Sequence, residues 1–408
     1  MDADRLDLVS PPGQTAEVRA RRLYRQCFAT TPRAAARAPG RVNIIGDHTD
    51  YNGGPVLPMA ISRDCCAVAG SSDDGLWRVL SEAESTELCL APRDLVLIAR
   101  GMAQHGLPQG DWRRYVLGVL AGITISMSGG GETAVPQHVS IASDVPIGAG
   151  LSSSAALELA VYTAVSITAQ RPWEPAEAAR TCREAEHRYA EVPCGSMDQL
   201  VCACAREGNA LLIEGGEPPV TRHVPLPSDA ALLVINTHVR HALAGGEYAA
   251  RVMATARAAA TLGVKWLCDA QPASLIAVGG PLTPEEARLA SHCTSEAARV
   301  RRAVSALEQG DLSLLGRLMT ESHTSLRDNY RVSCPELNAA VDAALDSPGV
   351  LGARMTGGGF GGCAIALVRR QDVPHAGPRI AQGYSRRVGA PPGMFLAVSS
   401  RGASLQAL

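Results

Sequence analysis

The chain has 408 residues, of which 46% are hydrophobic and 19% are charged, and its formal net charge is −2. This length suits two domains, and this composition allows a large apolar core and excludes an intrinsically disordered protein. The small net charge gives no electrostatic reason to expect a nucleic acid or an acidic membrane as partner, and no apolar run reaches the roughly 18 residues of a membrane span.

The first residues, MDADRLDLVSPPGQ, are acidic and polar, which is not typical of a signal peptide. The 12 cysteines lack the spacing of a zinc site and, without an export signal, are expected to be reduced and buried. Both features lead us to expect a cytoplasmic protein.

Hydrophobic spacing predicts strands mainly in the first half of the chain and helices mainly in the second. In the first half, the predicted elements are a helix at 17–28, a strand, turn and polar loop at 37–52, a strand pair at 56–69, further strands at 77–90, a helix at 111–126, a strand at 138–141 and helices after residue 150 and at 175–189. In the second half, they are strands at 211–214 and 231–236, helices ending at 262 and at 284–307 and 312–329, a strand at 350–355 and, after a glycine turn, a strand or helix at 363–368. This order predicts an α+β protein with a domain boundary near residues 208–220.

The first chemically unusual segment is PGRVNIIGDHTDYNGG at 39–54, which we call the polar loop. It places five polar side chains within eleven residues, namely Arg41, Asp47, His48, Asp50 and Tyr51. Asp and Asn are common turn residues, so a purely structural role is one interpretation. Four ionisable groups around one tight turn are nevertheless costly unless they bind something polar, such as a polyhydroxylated substrate.

The second segment is VPIGAGLSSSAALELA at 145–160, which we call the serine loop. Gly148 and Gly150 permit backbone angles that other residues avoid, and three serines lead directly into a predicted helix. The unpaired N–H groups at a helix start form an anion site, so the loop fits a nucleotide phosphate as well as an ordinary helix cap. It is not a Walker A loop, because that motif contains a lysine and the only lysine in the sequence, Lys265, lies far from this segment.

The third segment is MTGGGFGGCAIAL at 355–367, which we call the glycine turn. Five glycines surround Phe360, more than a hairpin requires. Such a turn favours close backbone approach either to a ligand or to a phosphate-bearing loop.

These three segments, in this order and spacing, resemble the galactokinase branch of the GHMP kinase superfamily. Further matches are DWRRYVLGV at 111–119, AEHRYAEVPCGSMDQ at 185–199, GGEYAAR at 245–251 and ESHTSLRDNYRVSCPELN at 321–338. The resemblance implies an α+β, two-domain GHMP kinase fold, with a ribosomal-S5-like domain at 1–212, a ferredoxin-like domain at 213–408 and the active site in the interdomain cleft. It also implies ATP, Mg²⁺ and transfer of the γ-phosphoryl group to the anomeric hydroxyl of a sugar, by a monomer or weak dimer.

The resemblance assigns roles residue by residue. Asp198 matches the catalytic base and Arg41 the arginine that stabilises charge beside it. Ser154 and Glu186 match the magnesium-holding pair, although Glu184 lies on the same predicted helix and the sequence alone does not choose between the two acids. The positions matching the nucleotide site are Gly148, Gly150, Leu151, Ser152 and Ser153 for the phosphates and Trp112 for the adenine. Those matching the sugar site are Asp47, His48, Asp50, Gly195 and Tyr248, whereas His292, His323 and Arg327 are expected to be structural.

One position departs from the family. Galactokinases usually have glutamate where this chain has Asp47, which withdraws the carboxylate from the C6 end of the sugar by about one C–C bond, roughly 1.3 Å. Gly54-Pro55 also stands where the family often has an aromatic residue. An alternative acceptor is therefore an aldose extended beyond C6, such as a heptose or octose, whose terminal phosphate would meet Arg240 and His241.

Two alternatives from other classes are weaker. Some galactokinase-like proteins are sugar sensors that bind ATP and sugar without transferring phosphate, but this chain keeps an intact serine loop together with Asp198 and Arg41. Related kinases that act on mevalonate or homoserine lack a segment like 47–50. The sequence therefore favours a catalytic sugar 1-kinase.

Overall fold

The computed structural model describes residues 14–128, 135–240, 244–271 and 280–407. The helices are α1 (Ala16–Cys27), α2 (Pro92–Ala99), α3 (Arg113–Ser128), α4 (Ser153–Thr168), α5 (Pro175–Ala185), α6 (Met197–Cys204), α7 (Ala244–Leu262), α8 (Pro284–Glu308), α9 (Leu312–Ser325), α10 (Pro335–Leu345) and α11 (Val373–Val388). The strands are β1 (Pro32–Asn43), β2 (Pro58–Ser71), β3 (Trp77–Ser81), β4 (Leu88–Leu90), β5 (Gln137–Ser143), β6 (Asn209–Glu214), β7 (Val220–Pro225), β8 (Ala230–Arg240), β9 (Val350–Thr356), β10 (Gly361–Arg369), β11 (Gly393–Ala397) and β12 (Ser404–Gln406). Single π-helical turns follow α5 and α9, at Glu186–Ala190 and Leu326–Tyr330.

The first half of the chain forms a six-stranded sheet in the order β12-β1-β2-β5-β3-β4. Its neighbours are antiparallel except for β3 and β5, which run parallel. Helix α4 packs across β1 and β2. Nearly every residue from Ala155 to Ser166 is buried, which agrees with a helix sequence that is apolar over most of its surface. The chain returns to this sheet at its other end, where β12 pairs with β1.

The predicted strand pair at 56–69 is wrong, because this segment is a single strand, β2. The polar interruption at 62–64 is not a turn but is satisfied within the sheet. Arg37 of β1 donates from Nη1 to Asp64 Oδ1 at 2.6 Å, and the backbone N–H of Ser62 donates to the carbonyl of Val398 at 2.9 Å. Because these polar groups have partners within the protein, the polar residues at 62–64 can remain in a strand and need not form a solvent-exposed turn.

The second half forms a four-stranded antiparallel sheet in the order β11-β8-β10-β9, packed against α10 and α11. A separate hairpin, β6–β7, joins the two halves through a bridge between Ile213 and Val56. Among the described residues, no helix has both the length and the hydropathy that a membrane crossing requires. The mixed architecture agrees with the predicted α+β class.

The glycine turn between β9 and β10 lies against the serine loop. A Cβ atom on Gly357 would lie 2.5 Å from the carbonyl oxygen of Gly150, and one on Gly362 would lie 2.7 Å from that of Ala149. Both glycines also have φ of 85°, which side chains disfavour. Of the two approaches left open by the sequence, the structure therefore shows the one to the serine loop, and this contact closes one side of the cleft between the sheets.

Candidate active site

The larger of two adjoining cavities in the cleft has a volume of about 620 Å³. The serine loop forms one wall, and Thr86, Trp112 and Tyr115 form another. The indole N–H of Trp112 donates to Thr86 Oγ1 at 3.2 Å, which fixes the plane of the ring. Trp112 thus lines the cavity with a ring on which a flat aromatic ligand can stack.

The serine loop takes an uncommon backbone path before α4 begins. Gly148 and Gly150 have φ of 67° and 72°, and Ser152 is left-handed at 60° although it has a side chain. This path directs Leu151, Ser152 and Ser153 along the cavity wall up to the first turn of α4. The unpaired N–H groups of that turn carry partial positive charge, so the loop and helix start together suit an anionic ligand.

Arg41 and Asp198 meet at the inner end of this cavity. Arg41, which is 4% exposed, donates from Nε to Asp198 Oδ1 at 2.9 Å and from Nη2 to Oδ2 at 3.0 Å. Its third nitrogen, Nη1, donates to the carbonyl of Gly150. The bidentate pair fixes the orientation of the carboxylate and ties it to the serine loop.

Ser154 and Glu186 also lie together, with Ser154 Oγ donating to Glu186 Oε1 at 3.3 Å. Glu186 is buried in the π turn after α5, whereas Glu184 is 60% exposed and pairs with Arg180. The structure therefore selects Glu186 over Glu184. Burial and the nearby charge of Asp198 raise the pKa of Glu186 to about 7.

The donor set at Ser154 and Glu186 fits a magnesium ion. Both ligand atoms are oxygens, they lie at the end of the serine loop, and Mg²⁺ prefers a few protein oxygens with waters and phosphate oxygens completing its shell. An ion there would also compensate a carboxylate that is otherwise buried without a cation among the described residues.

The smaller cavity, about 180 Å³, continues from the first beyond Arg41, Asp198 and Gly358, which line both. The five residues predicted to bind sugar all line it, namely Asp47, His48, Asp50, Gly195 and Tyr248. They come from the polar loop, the segment before α6 and the start of α7, so the fold brings together three separate parts of the sequence.

His48 lines this cavity with a neutral ring. Its backbone is left-handed at φ 67°, and its Nδ1 lies 2.7 Å from the hydroxyl of Tyr51, which in turn lies 2.9 Å from that of Tyr330. Nε2 is buried and has no hydrogen-bond partner among the described residues. Burial lowers the pKa of His48 to about 3, so the ring is uncharged near neutral pH.

The position of the Asp50 carboxylate is set by contacts with Gly195 and with Met197, the first residue of α6. The backbone N–H of Met197 donates to Asp50 Oδ2 at 3.4 Å, and a Cβ atom on Gly195 would overlap the same carboxylate. Burial and the charge of Asp198 raise the pKa of Asp50 to about 6. The glycine is thus required by the position of Asp50 and not by a turn.

Asp47 uses both carboxylate oxygens within the protein. Oδ1 accepts from the backbone N–H of Gly357 at 3.1 Å, and Oδ2 accepts from Arg354, a fully buried residue of β9. Arg354 also donates to the carbonyl of Asn43 at 3.0 Å. Asp47 therefore connects the polar loop to the second sheet.

The residues expected to be structural lie outside the cavities' linings. His292 is buried behind the polar loop, with Nδ1 2.9 Å from Ser325 Oγ and Nε2 3.2 Å from the carbonyl of Asp47. His323 accepts from the backbone N–H of Met355 at 3.4 Å, and Arg327 forms an exposed pair with Asp328.

Two predictions cannot be followed further. The side chain of Arg240 and all of His241 lie outside the described residues.

Several residues that the structure places at the site were not predicted from the sequence: Thr86, Tyr115, Gln199, Tyr330 and Arg354. Gln199 directly follows Asp198 and Arg354 directly precedes the glycine turn, so adjacency to a motif was the available signal.

Comparison with known proteins gives consistent matches over the whole site. Family models match at residues 22–71 (Galactokinase galactose-binding signature), 114–206 (GHMP kinases N terminal domain) and 303–385 (GHMP kinases C terminal). Human galactokinase is 41% identical over 374 residues, covering 91% of this chain and 93% of its own length. The galactokinase of Streptomyces coelicolor is 39% identical over 391 residues, covering 93% and 96%.

Among solved structures, Lactococcus lactis galactokinase complexed with galactose superposes with a TM-score of 0.85 at 27% identity, covering 94% of this chain and 98% of its own. A mevalonate kinase matches at 17% identity with a TM-score of 0.65, which shows a shared fold.

Proposed function

This chain belongs to the galactokinase branch of the GHMP kinase superfamily, and we propose that it transfers the γ-phosphoryl group of ATP to the anomeric hydroxyl of galactose. It is thus an ATP-dependent phosphotransferase with an alcohol acceptor. The observation that carries the proposal is the position of the Arg41–Asp198 pair, which lies where the 620 Å³ and 180 Å³ cavities meet. Because Arg41 and Asp198 line both cavities, they can contact a nucleotide in the larger cavity and a sugar in the smaller one.

Asp198 acts as the general base. Its carboxylate accepts the proton of the C1 hydroxyl while that oxygen forms a bond to the γ-phosphorus and the bond from the γ-phosphorus to the bridging oxygen breaks, releasing ADP. An anomeric hydroxyl is more acidic than an ordinary alcohol, so a carboxylate suffices. Arg41 holds the carboxylate in one orientation and stabilises the negative charge that develops on the transferring group.

The 620 Å³ cavity binds ATP. The phosphates lie along Gly148, Gly150, Leu151, Ser152 and Ser153, where backbone N–H groups and the start of α4 supply the donors. Trp112 stacks on the adenine. Mg²⁺, held by Ser154 and Glu186, supplies neutralisation of charge on the phosphate oxygens when it is bound.

The 180 Å³ cavity binds the sugar. Asp50 accepts hydrogen bonds from ring hydroxyls, His48 Nε2 pairs with a further hydroxyl, and Tyr248 closes the cavity beside them. Gly195 leaves room for the Asp50 carboxylate. His48 is buried and Asp50 and Tyr248 are half-buried, so a polar group left without its sugar hydroxyl is costly and the site is selective.

The division into domains at 1–212 and 213–408, the monomer or weak dimer and the cytoplasmic location remain predictions. The division falls within β6 of the β6–β7 hairpin, and it is supported by the change from the six-stranded sheet before this hairpin to the four-stranded sheet after it, although β12 returns to the first sheet.

An aldose extended beyond C6 is the second candidate acceptor. It is supported by Asp47, whose two carboxylate oxygens are already held by Arg354 and the Gly357 N–H. A carboxylate so engaged, and one methylene shorter than the usual glutamate, contacts a C6 hydroxyl less strongly.

Sugar-dependent ADP release tests both acceptors. The assay compares galactose with heptoses and octoses and with their terminal phosphates, using the wild-type chain and Asp198→Asn. We expect turnover with galactose and a loss of roughly 10²- to 10⁴-fold in Asp198→Asn. Activity on extended sugars alone would replace galactose as the acceptor. Binding of ATP and galactose without any ADP release would identify a sensor instead.

A further inference from the structure

A buried amide links the catalytic helix to the magnesium-holding carboxylate. Gln199, the residue after Asp198 in α6, donates from Nε2 to Glu186 Oε2 at 2.6 Å and to Glu158 Oε2 at 3.2 Å. Gln199 is 1% exposed and Glu158 is fully buried. Carboxyl oxygens accept hydrogen bonds from an amide N–H, so the NH₂ group of Gln199 faces the two acids in this arrangement.

The carboxylate of Glu186 is consequently held at both oxygens. Ser154 Oγ donates to Oε1 at 3.3 Å, and Gln199 Nε2 donates to Oε2. Ser154 and Glu158 are four residues apart on α4 and so lie on the same face, one turn from each other. One face of α4 thus supplies a ligand for the metal and an anchor for the amide that orients the second ligand.

Glu158 is an expensive residue for this position. It forms no ion pair within the described part of the chain, and its Oε1 has no hydrogen-bond partner there. Burial, with the charge of Glu186, raises the pKa of Glu158 well above its ordinary value. An apolar side chain would pack at lower cost, so the acid is explained by what it contacts, which is Gln199.

We propose that Gln199 is a positioning residue for Glu186 and that Glu158 in turn positions Gln199. The proposal rests on the assignment of Ser154 and Glu186 as magnesium ligands. Mg²⁺ demands near-ideal octahedral geometry, and groups that hold a ligand in place typically change metal affinity by about 10- to 100-fold when removed. The pair Gln199 and Glu158 touches neither substrate, since neither residue lines the two cavities.

The test measures binding of Mn²⁺ to the full chain by electron paramagnetic resonance, with a non-hydrolysable ATP analogue present. Gln199→Met keeps the length of the side chain and removes both donated bonds. We expect it to weaken Mn²⁺ binding about tenfold or more while galactose affinity changes less than about twofold. Glu158→Gln keeps an acceptor at the same position and is expected to stay within about threefold of the wild type.

Two further variants complete the design. Glu184→Gln, two residues before Glu186 but exposed and paired with Arg180, is the matched control and should bind Mn²⁺ as the wild type does. Glu158→Leu removes the anchor while keeping the volume, so it tests the proposal if Gln199→Met fails to fold, with an expected loss of about three- to tenfold.

Mn²⁺ affinity within twofold of the wild type in a folded Gln199→Met or Glu158→Leu chain would overturn the proposal. The measurement needs no phosphoryl transfer, so a wild-type chain that binds Mn²⁺ normally but lacks sugar-kinase activity would contradict the proposed function and leave this inference standing.

Discussion

At the scale of single residues, the shape of the smaller cavity depends on the contact between Gly195 and Asp50, which the sequence alone did not indicate. The Asp50 carboxylate occupies the space where a side chain at position 195 would begin. Family resemblance marked both positions as sugar-binding, but it gave no reason for a glycine at 195. The reason is steric, because Gly195 makes room for the carboxylate of Asp50, the residue that we propose binds the sugar.

Gly195→Ala should therefore behave as a sugar-binding variant. The added methyl group displaces Asp50, and a lost hydrogen bond to a charged group is worth about 1.5–3 kcal/mol, or roughly 10- to 100-fold in galactose affinity. Isothermal titration of galactose and of ATP separates the two sites, and ATP affinity should hardly change. Gly246→Ala, where a Cβ meets nothing within 4 Å, is the control and should bind both normally. Equal galactose affinity in the two variants would contradict the steric role.

The pH dependence of galactose binding is expected to follow Asp50. Its pKa of about 6 lies above the ordinary value of 3.8, and sugar hydroxyls that donate to it favour the ionised form. Affinity, measured without nucleotide or metal, should fall by up to tenfold per unit below pH 6, and the comparison is made in Glu186→Gln as well because Glu186 lines the same cavity with a pKa of about 7. His48 adds no slope, because its pKa of about 3 keeps it neutral throughout. Asp50→Asn should remove the slope, and a wild-type affinity independent of pH between 5 and 8 would contradict this assignment.

At the scale of elements, the polar loop is fixed by the second sheet. Asp47 is bound by Arg354 of β9 and by the first glycine of the glycine turn, Gly357. Fully buried charges are stable only as a pair, so this contact locks the loop that carries His48 and Asp50 onto the opposite half of the molecule.

A double-mutant cycle measures the interaction energy between Asp47 and Arg354. Asp47→Asn leaves the buried guanidinium of Arg354 without an anion and should lower the free energy of unfolding by about 3 kcal/mol, as should Arg354→Met for the converse reason. The combined variant should lose much less than the sum, since it buries neither charge. Urea unfolding of the four chains provides the values. Additive losses would show that the two residues act independently.

The elements also show what the sequence could predict. Helices with strong apolar spacing, such as Pro284–Glu308, and the three glycine-bearing loops were predicted close to their observed positions. The strand β2 was not, because the cross-strand partner that satisfies Asp64 is 27 residues away. The residues alone did not decide between Glu186 and Glu184, and only the family resemblance favoured Glu186, because which acid faces inward depends on the π turn at 186–190 and on contacts from α4 and α6.

At the scale of the whole molecule, the three glycine-bearing segments form one cleft. The glycine turn packs against the serine loop, the polar loop is held by β9, and Arg41 joins the polar loop to both Asp198 and Gly150. The two cavities consequently meet at one carboxylate, and we expect the phosphoryl group to be transferred there to the C1 hydroxyl of the sugar.

The most direct test of that claim is the position of the phosphate in the product. Phosphorus-31 and carbon-13 nuclear magnetic resonance of the reaction of the wild-type chain with ATP and galactose should show galactose 1-phosphate as the single sugar phosphate, formed in equal amount with ADP. Phosphate on another hydroxyl, or no sugar phosphate from a chain that binds both substrates, would contradict the account.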